Sequence, residues 1–145
     1  MTVPPELVAM LEGAPVVGAR EQAFPFITVD AGGFPHPALL SRAELEVGPA
    51  GDLRAALRSR RTRANLERSG LAALIAVEGR TAHYVKLRVA RSLAVNDLLA
   101  CVFEVVEHKP DSLGIPLAPV TYEVTAEITR AERWDLTREA LRRLW

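Results

Sequence analysis

The side chains best suited to bind a ligand are concentrated in one short segment of the chain. Six arginines lie between Arg54 and Arg68, and Glu67 is the only acidic residue among them. Guanidinium groups make paired, charge-assisted hydrogen bonds to phosphate oxygens, and the free N–H groups at a helix N-terminus also attract anions. The alternative is a solvated basic helix face whose arginines pair with acids elsewhere. We predict a phosphomonoester site formed by Arg58, Ser59, Arg60, Arg61 and Thr62.

The remaining reactive side chains do not form a recognisable catalytic or metal-binding motif. The histidines His36, His83 and His108 are far apart in the sequence and lack the spacing of common metal-binding motifs. Cys101 is the only cysteine, which excludes an intrachain disulfide and a zinc site with several thiolates. No nucleophile has a base beside it, so any chemistry would be supplied by a cofactor. We therefore expect no metal site.

Composition limits the class of protein. The chain has 145 residues, 49% of them hydrophobic, and a formal net charge of +0. This predicts one globular domain spanning residues 1–145 rather than a disordered chain. A neutral chain is not a general nucleic-acid binder. No apolar run approaches the ~18 residues of a membrane span and no signal segment is visible, so we expect no membrane association and a cytoplasmic location.

The hydrophobic pattern predicts mostly strands, with short helices at the ends and in one crossover. Residues 1–22 are expected to hold a helix over 4–12 followed by a linker, and residues 132–145 to hold a C-terminal amphipathic helix over 135–145. A crossover helix is expected over 62–69, with Thr62 as N-cap and Gly70 as its end. The expected strands are 24–29, 34–47, 52–58, 71–77, 81–89, 98–106 and 120–128. Segment 52–58 has an alternative as the start of a helix, because Ala55, Ala56 and Leu57 suit a helix by propensity.

Six or seven short strands with few helices predict a small antiparallel barrel. The strands 71–77 and 98–106 are apolar on both faces, so one face of each needs cover outside the barrel. A second copy of the chain would provide this cover, and we therefore expect a homodimer. The alternative is that the terminal helices of the same chain cover these strands.

The order of these motifs resembles the FMN-binding split-barrel superfamily, specifically the small relatives of pyridoxamine 5′-phosphate oxidase. The resemblance runs from about Phe24 to about Glu127. It is carried by four segments: 28–36 (TVDAGGFPH), 60–66 (RRTRANL), 71–77 (LAALIAV) and 84–88 (YVKLR). It implies a mainly β protein with a six- to seven-stranded antiparallel split β-barrel and short flanking helices.

The resemblance also implies a homodimer with two FMN sites at the subunit interface. The strand after the first hairpin would lie along the isoalloxazine ring, which places Ala38, Leu39, Leu40 and Ser41 there. The basic turn would hold the phosphate through Ser59, Arg60, Arg61 and Thr62. Tyr84 or Lys86 would face the flavin from the alternating strand.

The sequence also departs from the family pattern. Thr62 stands where the family commonly has lysine, and Arg42 is the only nearby candidate for a further phosphate-binding residue. The segment after Thr129 has no counterpart of the pyridoxamine phosphate pocket, so the oxidase activity itself is not expected.

The resemblance thus predicts an FMN-dependent oxidoreductase that passes electrons or hydride to a small substrate. One alternative is a non-catalytic flavin- or haem-binding dimer that acts as a carrier or sensor. Another is a purely structural dimer.

Overall fold

The computed structural model describes residues 1–112 and 114–145. The helices are α1 (Pro5–Val8), α2 (Arg60–Ser69), α3 (Ala126–Ala131) and α4 (Trp134–Arg142), and 3₁₀ turns lie at Ala9–Leu11 and Arg42–Glu44. The strands are β1 (Arg20–Gln22), β2 (Phe24–Val29), β3 (Pro35–Leu40), β4 (Leu45–Val47), β5 (Leu53–Leu57), β6 (Leu71–Glu78), β7 (Thr81–Val95), β8 (Leu98–Asp111) and β9 (Thr121–Glu123). None of the described helices is both long and apolar enough to cross a membrane.

Seven strands form one antiparallel sheet in the order β3-β2-β6-β7-β8-β5-β4, and β1 pairs with β9 in a separate ribbon. The long strands β7 and β8 carry register shifts at Lys86/Leu87 and at Val89/Arg91. Such bulges bend a strand and increase its twist, which curls the sheet into a half-barrel. The expected mainly β fold with six to seven antiparallel strands is confirmed.

The concave side of the sheet holds the main hydrophobic core. Phe26 and Phe103, from opposite parts of the sheet, meet edge to face with ring centroids 5.8 Å apart. Leu7 and Leu11 from the N-terminal segment close one side of this core. A second cluster packs Ala140, Leu141 and Leu144 of the C-terminal segment against β5 and β8.

Two strands, β6 and β8, are apolar on both faces. A helix of the same chain covers the outer face of β8 but not that of β6. The C-terminal helix packs on the start of β8, so the alternative of cover by the protein's own helix is correct there. In the described part of the chain, no helix covers the convex face of β6. Its outward residues Leu71, Ala73 and Ile75 are half-buried or exposed, whereas the inward Leu74 and Ala76 are fully buried.

The strands β7 and β8 run to Val95 and Asp111, beyond the ends expected at 89 and 106. Three other expected element boundaries are wrong for local reasons. The long strand expected over 34–47 is interrupted at Ser41, where the Ser41 and Glu44 side chains form a capping box around a 3₁₀ turn. The strand expected over 120–128 ends at Glu123 because the Thr125 hydroxyl caps α3 by accepting the Ile128 N–H at 3.1 Å.

The third error concerns the start of α2. Ser59 is its N-cap, so Thr62 lies inside the helix and the expectation that Thr62 is the cap was wrong. The helix ends, as expected, at Gly70, which has a left-handed φ of 71°.

Candidate functional site

The arginine segment begins where β5 ends and α2 starts. The Ser59 hydroxyl accepts the Thr62 N–H at 3.4 Å. The side chain of Thr62 itself is buried, with its hydroxyl oxygen unpartnered inside the protein. Arg60 and Arg61 are exposed on the first turn, and neither belongs to an ion pair of the described part of the chain. Both guanidinium groups are therefore available to a ligand.

Arg58 points away from these two arginines. Its guanidinium donates to the Glu132 carbonyl oxygen at 2.6 Å and lies 3.3 Å from a carboxylate oxygen of Asp97. It therefore links the end of β5 to the C-terminal helices. The five residues of the predicted phosphate site thus separate into three exposed residues (Ser59, Arg60, Arg61), the half-exposed Arg58, which bonds to other parts of the chain, and the buried Thr62.

Arg61 faces a cleft of about 370 Å³ between α2 and the β2–β3 hairpin, called the arginine cleft below. It is lined by Asp30, Ala31, Gly32, His36, Arg61, Ala64, Asn65 and Arg68. The carboxylate of Asp30 is occupied by the hairpin turn, because its Oδ1 accepts the N–H groups of Gly32 and Phe34 at 2.9 Å each. Two guanidinium groups and one imidazole face this single carboxylate, so the cleft favours an anion.

Two of these cleft residues also anchor α2 to the sheet. The buried Asn65 amide donates to the Thr28 hydroxyl at 2.9 Å, and Arg68 donates to the Asn65 side-chain oxygen at 3.2 Å and to the Val29 carbonyl. Neither residue is among those that the sequence predicts to bind a ligand. Arg61, Asn65 and Arg68 follow the i, i+4, i+7 spacing of one helix face, a signal that could have identified them.

A second cleft, of about 250 Å³, lies at the other end of β3 and is called the tryptophan cleft below. It is lined by Ala23, Leu39, Leu40, Ser41, Glu44, Val120, Thr121, Tyr122, Ile128, Glu132 and Trp134. Three of the predicted ring-contacting residues, Leu39, Leu40 and Ser41, belong to it. The side chain of Leu39 is 60% exposed, whereas that of Leu40 is buried in the core.

The tryptophan cleft contains polar groups with unused hydrogen-bonding capacity. The indole N–H of Trp134 and the hydroxyl of Tyr122 are buried without a hydrogen-bond partner, and the two rings meet edge to face at 6.4 Å. Burial raises the pKa of the Tyr122 phenol, and the proximity of Ser41 opposes that rise without reaching hydrogen-bond geometry. Unsatisfied buried donors are costly, so these two groups are suited to meet acceptors on a ligand.

Glu44 is the carboxyl group of the tryptophan cleft. Burial raises its pKa to about 7, although the N–H and hydroxyl of Ser41, which both donate to Glu44 Oε1 at 3.2 Å, act in the opposite direction. A carboxyl group that titrates near neutral pH can donate a proton or accept one in a ligand-binding cleft. No motif marked Glu44, since its shift arises from packing.

Tyr84 and Lys86 lie outside both clefts, on the convex face of the sheet. The Tyr84 hydroxyl donates to Asp111 at 3.0 Å, which raises the pKa of the phenol, and Lys86 pairs with Glu107 at 2.8 Å. Strand register places them on the same face as Leu39, because Ile27 opposes both Pro37 and Ala73, and Ala73 opposes Lys86. The three strand spacings between β3 and β7 correspond to roughly 14 Å.

No family model matches the sequence, and no curated protein matches it. Several solved structures share its fold. They include the flavin reductase (SMOB) of styrene monooxygenase from Pseudomonas putida S12, with a TM-score of 0.56, 8% identity, and coverage of 73% of this chain and 88% of that one. An F420 reductase gives a TM-score of 0.55, 12% identity, and coverage of 74% and 98%.

The flavoredoxin of Desulfovibrio vulgaris (Miyazaki F) is similar to the same degree. Its TM-score is 0.54 at 11% identity, and the match covers 77% of this chain and 86% of that chain. At these identities the likeness concerns the fold alone. The split-barrel fold implied by the sequence resemblance is therefore confirmed.

Proposed function

We propose that the protein binds FMN as a homodimer and transfers electrons or hydride between this flavin and a small substrate. The proposal rests mainly on the arginine cleft, in which two guanidinium groups lie at the free edge of the barrel. Flavin reductases and a flavoredoxin share this fold. An anionic tail is the feature that distinguishes FMN from riboflavin. The cleft offers that tail charge-assisted hydrogen bonds.

In this proposal the flavin spans the two clefts along β3. His36 borders the arginine cleft and Leu39 borders the tryptophan cleft. The three residue steps from His36 to Leu39 correspond to roughly 10 Å of extended strand, a separation suited to a ring system joined to a phosphate by a short chain. Because β3 is an edge strand, it leaves backbone groups free to contact that chain.

Different side chains would bind the phosphate end and the ring end of the flavin. Arg61, Arg68 and the first turn of α2 would hold the phosphate, with Ser59 and Arg60 beside them. Trp134 and Tyr122 would donate hydrogen bonds to carbonyl oxygens of the ring, and Leu39 would pack against its apolar part. The bound flavin supplies the redox chemistry, and this chain's residues position it and exclude water.

The homodimer would use the convex face of β3, β2 and β6. Strand register places Pro37, Leu39, Ile27, Leu71, Ala73 and Ile75 on this face. Leu71 is 50% exposed and Val29 is 46% exposed. A contiguous apolar face of this kind is a usual site of subunit association, and a second copy would also cover the exposed edge of β3. The charged Lys86 and Arg88 would lie at its rim.

The absorbance spectrum of the freshly purified protein, followed by chromatography of the ligand released on denaturation, tests the proposal. We expect a flavin spectrum and release of FMN, close to one molecule per chain. Released FAD or a deazaflavin would reject the assignment of FMN while supporting a flavin site. A colourless protein that does not bind added FMN at micromolar concentrations would reject the flavin site.

Turnover is tested separately on the flavin-loaded protein. Oxidation of NADH or NADPH faster than by an equal concentration of free FMN would support an oxidoreductase. Stable binding with no such acceleration by either donor would favour the carrier or sensor. If the protein is dimeric but binds no flavin, the result would support the alternative of a purely structural dimer.

A further inference from the structure

The structure brings together two histidines that are 25 positions apart in the sequence. In the antiparallel pairing of β7 with β8, His108 lies opposite Val85, and His83 is two residues from Val85 on the same inward side. The two imidazole rings are nearly parallel, with an interplanar angle of 9° and centroids 5.1 Å apart, and they meet edge to edge with His83 Nδ1 2.8 Å from His108 Nε2. The two residues are far apart in the sequence, and strand register brings them together.

A carboxylate from a third element joins the two imidazoles. Glu6 lies on α1, and one ligand atom from each of Glu6, His83 and His108 falls within 4.8 Å of the others. The helix is held in place by the fully buried Leu7 and by the Val3 N–H, which donates to the Gly51 carbonyl at 2.8 Å. The Glu6 side chain is therefore anchored at its base and exposed at its tip.

We propose that Glu6, His83 and His108 form a binding site for a divalent transition-metal ion such as Zn²⁺. Two imidazole nitrogens and one carboxylate are a donor set that zinc accepts, with a fourth position left to water. Ligand atoms about 2.0–2.1 Å from a tetrahedral ion lie roughly 3.3 Å apart. Reaching that arrangement requires the two ring nitrogens to separate from 2.8 Å, the rings to turn so that both lone pairs point at the ion, and the Glu6 side chain to move inward.

The proposed ion would use the two nitrogens that share a hydrogen bond in this structure, His83 Nδ1 and His108 Nε2, so it would replace that bond. The other nitrogen of the buried His83, Nε2, has no hydrogen-bond partner in this structure and takes no part in the proposed site. The neighbouring acids are occupied elsewhere, since Glu107 pairs with Lys86 and Asp111 accepts from Tyr84. Glu6 is the carboxylate that meets the histidine pair in the described part of the chain.

Metal titration of the chelator-treated protein without an affinity tag tests the site. Zn²⁺ binding is followed by calorimetry, and Co²⁺ binding by visible absorption, whose intensity reports a tetrahedral site. We expect one ion per chain with a dissociation constant at or below the micromolar range. His108→Gln should weaken binding at least about a hundredfold, and the exposed substitution Glu6→Gln at least about tenfold.

His36→Gln is the matched control, because it removes the one remaining histidine and should leave the affinity unchanged. The melting temperature provides a second measurement: it should rise with Zn²⁺ in the wild type and in His36→Gln but not in His108→Gln. If the wild type fails to bind, or if His108→Gln and Glu6→Gln bind as the wild type does, the proposal is overturned. Neither measurement depends on flavin, so the test is independent of the proposed function.

Discussion

Asn65 on α2 donates a hydrogen bond to Thr28 on β2 at 2.9 Å, and both side chains are buried. These residues are 37 positions apart, and their bond fixes the crossover helix on the sheet. The same Asn65 receives a hydrogen bond from Arg68. The pair therefore determines where the cationic side chains of the arginine cleft stand relative to the hairpin.

Thr28→Val should destabilise the protein by about 1–3 kcal/mol, because the replacement has the same shape but leaves the buried Asn65 amide without an acceptor. Urea unfolding followed by circular dichroism measures the change. The matched control is Thr121→Val at an exposed position on β9, which should change the free energy of unfolding by less than about 0.5 kcal/mol. Equal effects of the two substitutions would contradict the structural role of the bond.

Arg61→Ala should weaken FMN binding about 10- to 100-fold, since a hydrogen bond to a charged group contributes about 1.5–3 kcal/mol. Riboflavin, which lacks the phosphate, should lose no more than about twofold in affinity. Fluorescence titration with both ligands measures the difference. Arg60→Ala is the control at the neighbouring position, which does not line the cleft, and its effect on FMN should be smaller. Equal losses for FMN and riboflavin would refute the phosphate assignment.

Because of Glu44, we expect the free energy of unfolding to fall as the pH rises. Its folded-state pKa is about 7 against 4.5 for the unfolded chain, so the folded state binds more protons between these values. The free energy of unfolding should decrease between about pH 4.5 and pH 7, by at most about 3 kcal/mol.

Glu44→Gln should remove that decrease while keeping an oxygen that accepts from Ser41. Urea unfolding of the wild type and the variant at pH 5, 6, 7 and 8 measures the two slopes. Glu123→Gln, at an exposed position on β9, should retain the slope of the wild type. Parallel curves for Glu44→Gln and the wild type would show that Glu44 is not the responsible group.

Leu71→Asp should convert the proposed homodimer into monomers, because a second copy would have to bury an unpaired carboxylate against an apolar face. Light scattering coupled to gel filtration measures the mass. Val16→Asp introduces the same charge at an exposed apolar position before β1 and should leave the mass unchanged. A monomeric wild type, or a Leu71→Asp protein that stays dimeric, would argue against this face.

Cys101 should be inert in the native protein. Burial raises the pKa of its thiol to about 12, and the thiolate is the reactive form. At pH 8 a thiol reagent should label the native protein at least roughly a thousandfold more slowly than the unfolded chain. Absorbance of the released reagent, with and without guanidinium, measures both rates. Similar rates would mean that Cys101 is accessible.

The sequence by itself was enough to predict the mainly β fold, the β2–β3 hairpin and the end of α2 at Gly70. These features follow from residue alternation, glycine placement and propensity, which act between neighbours along the chain. The strands expected over 34–47 and 120–128 stop early for local reasons as well. The side chains of Ser41 and Thr125 cap helical turns there and so compete with strand pairing.

Only the tertiary structure decided which polar groups share a cleft. Arg58 and Arg61 are three residues apart, yet one reaches Glu132 and the other faces the hairpin, because Arg58 precedes the N-cap Ser59 whereas Arg61 lies on the first turn of α2. Trp134, Tyr122 and Glu44 meet only after the C-terminal segment packs on the sheet. His83 and His108 become neighbours through strand register. The proximity of these side chains depends on contacts between segments that are distant in the sequence, and no local pattern of residues specifies such contacts.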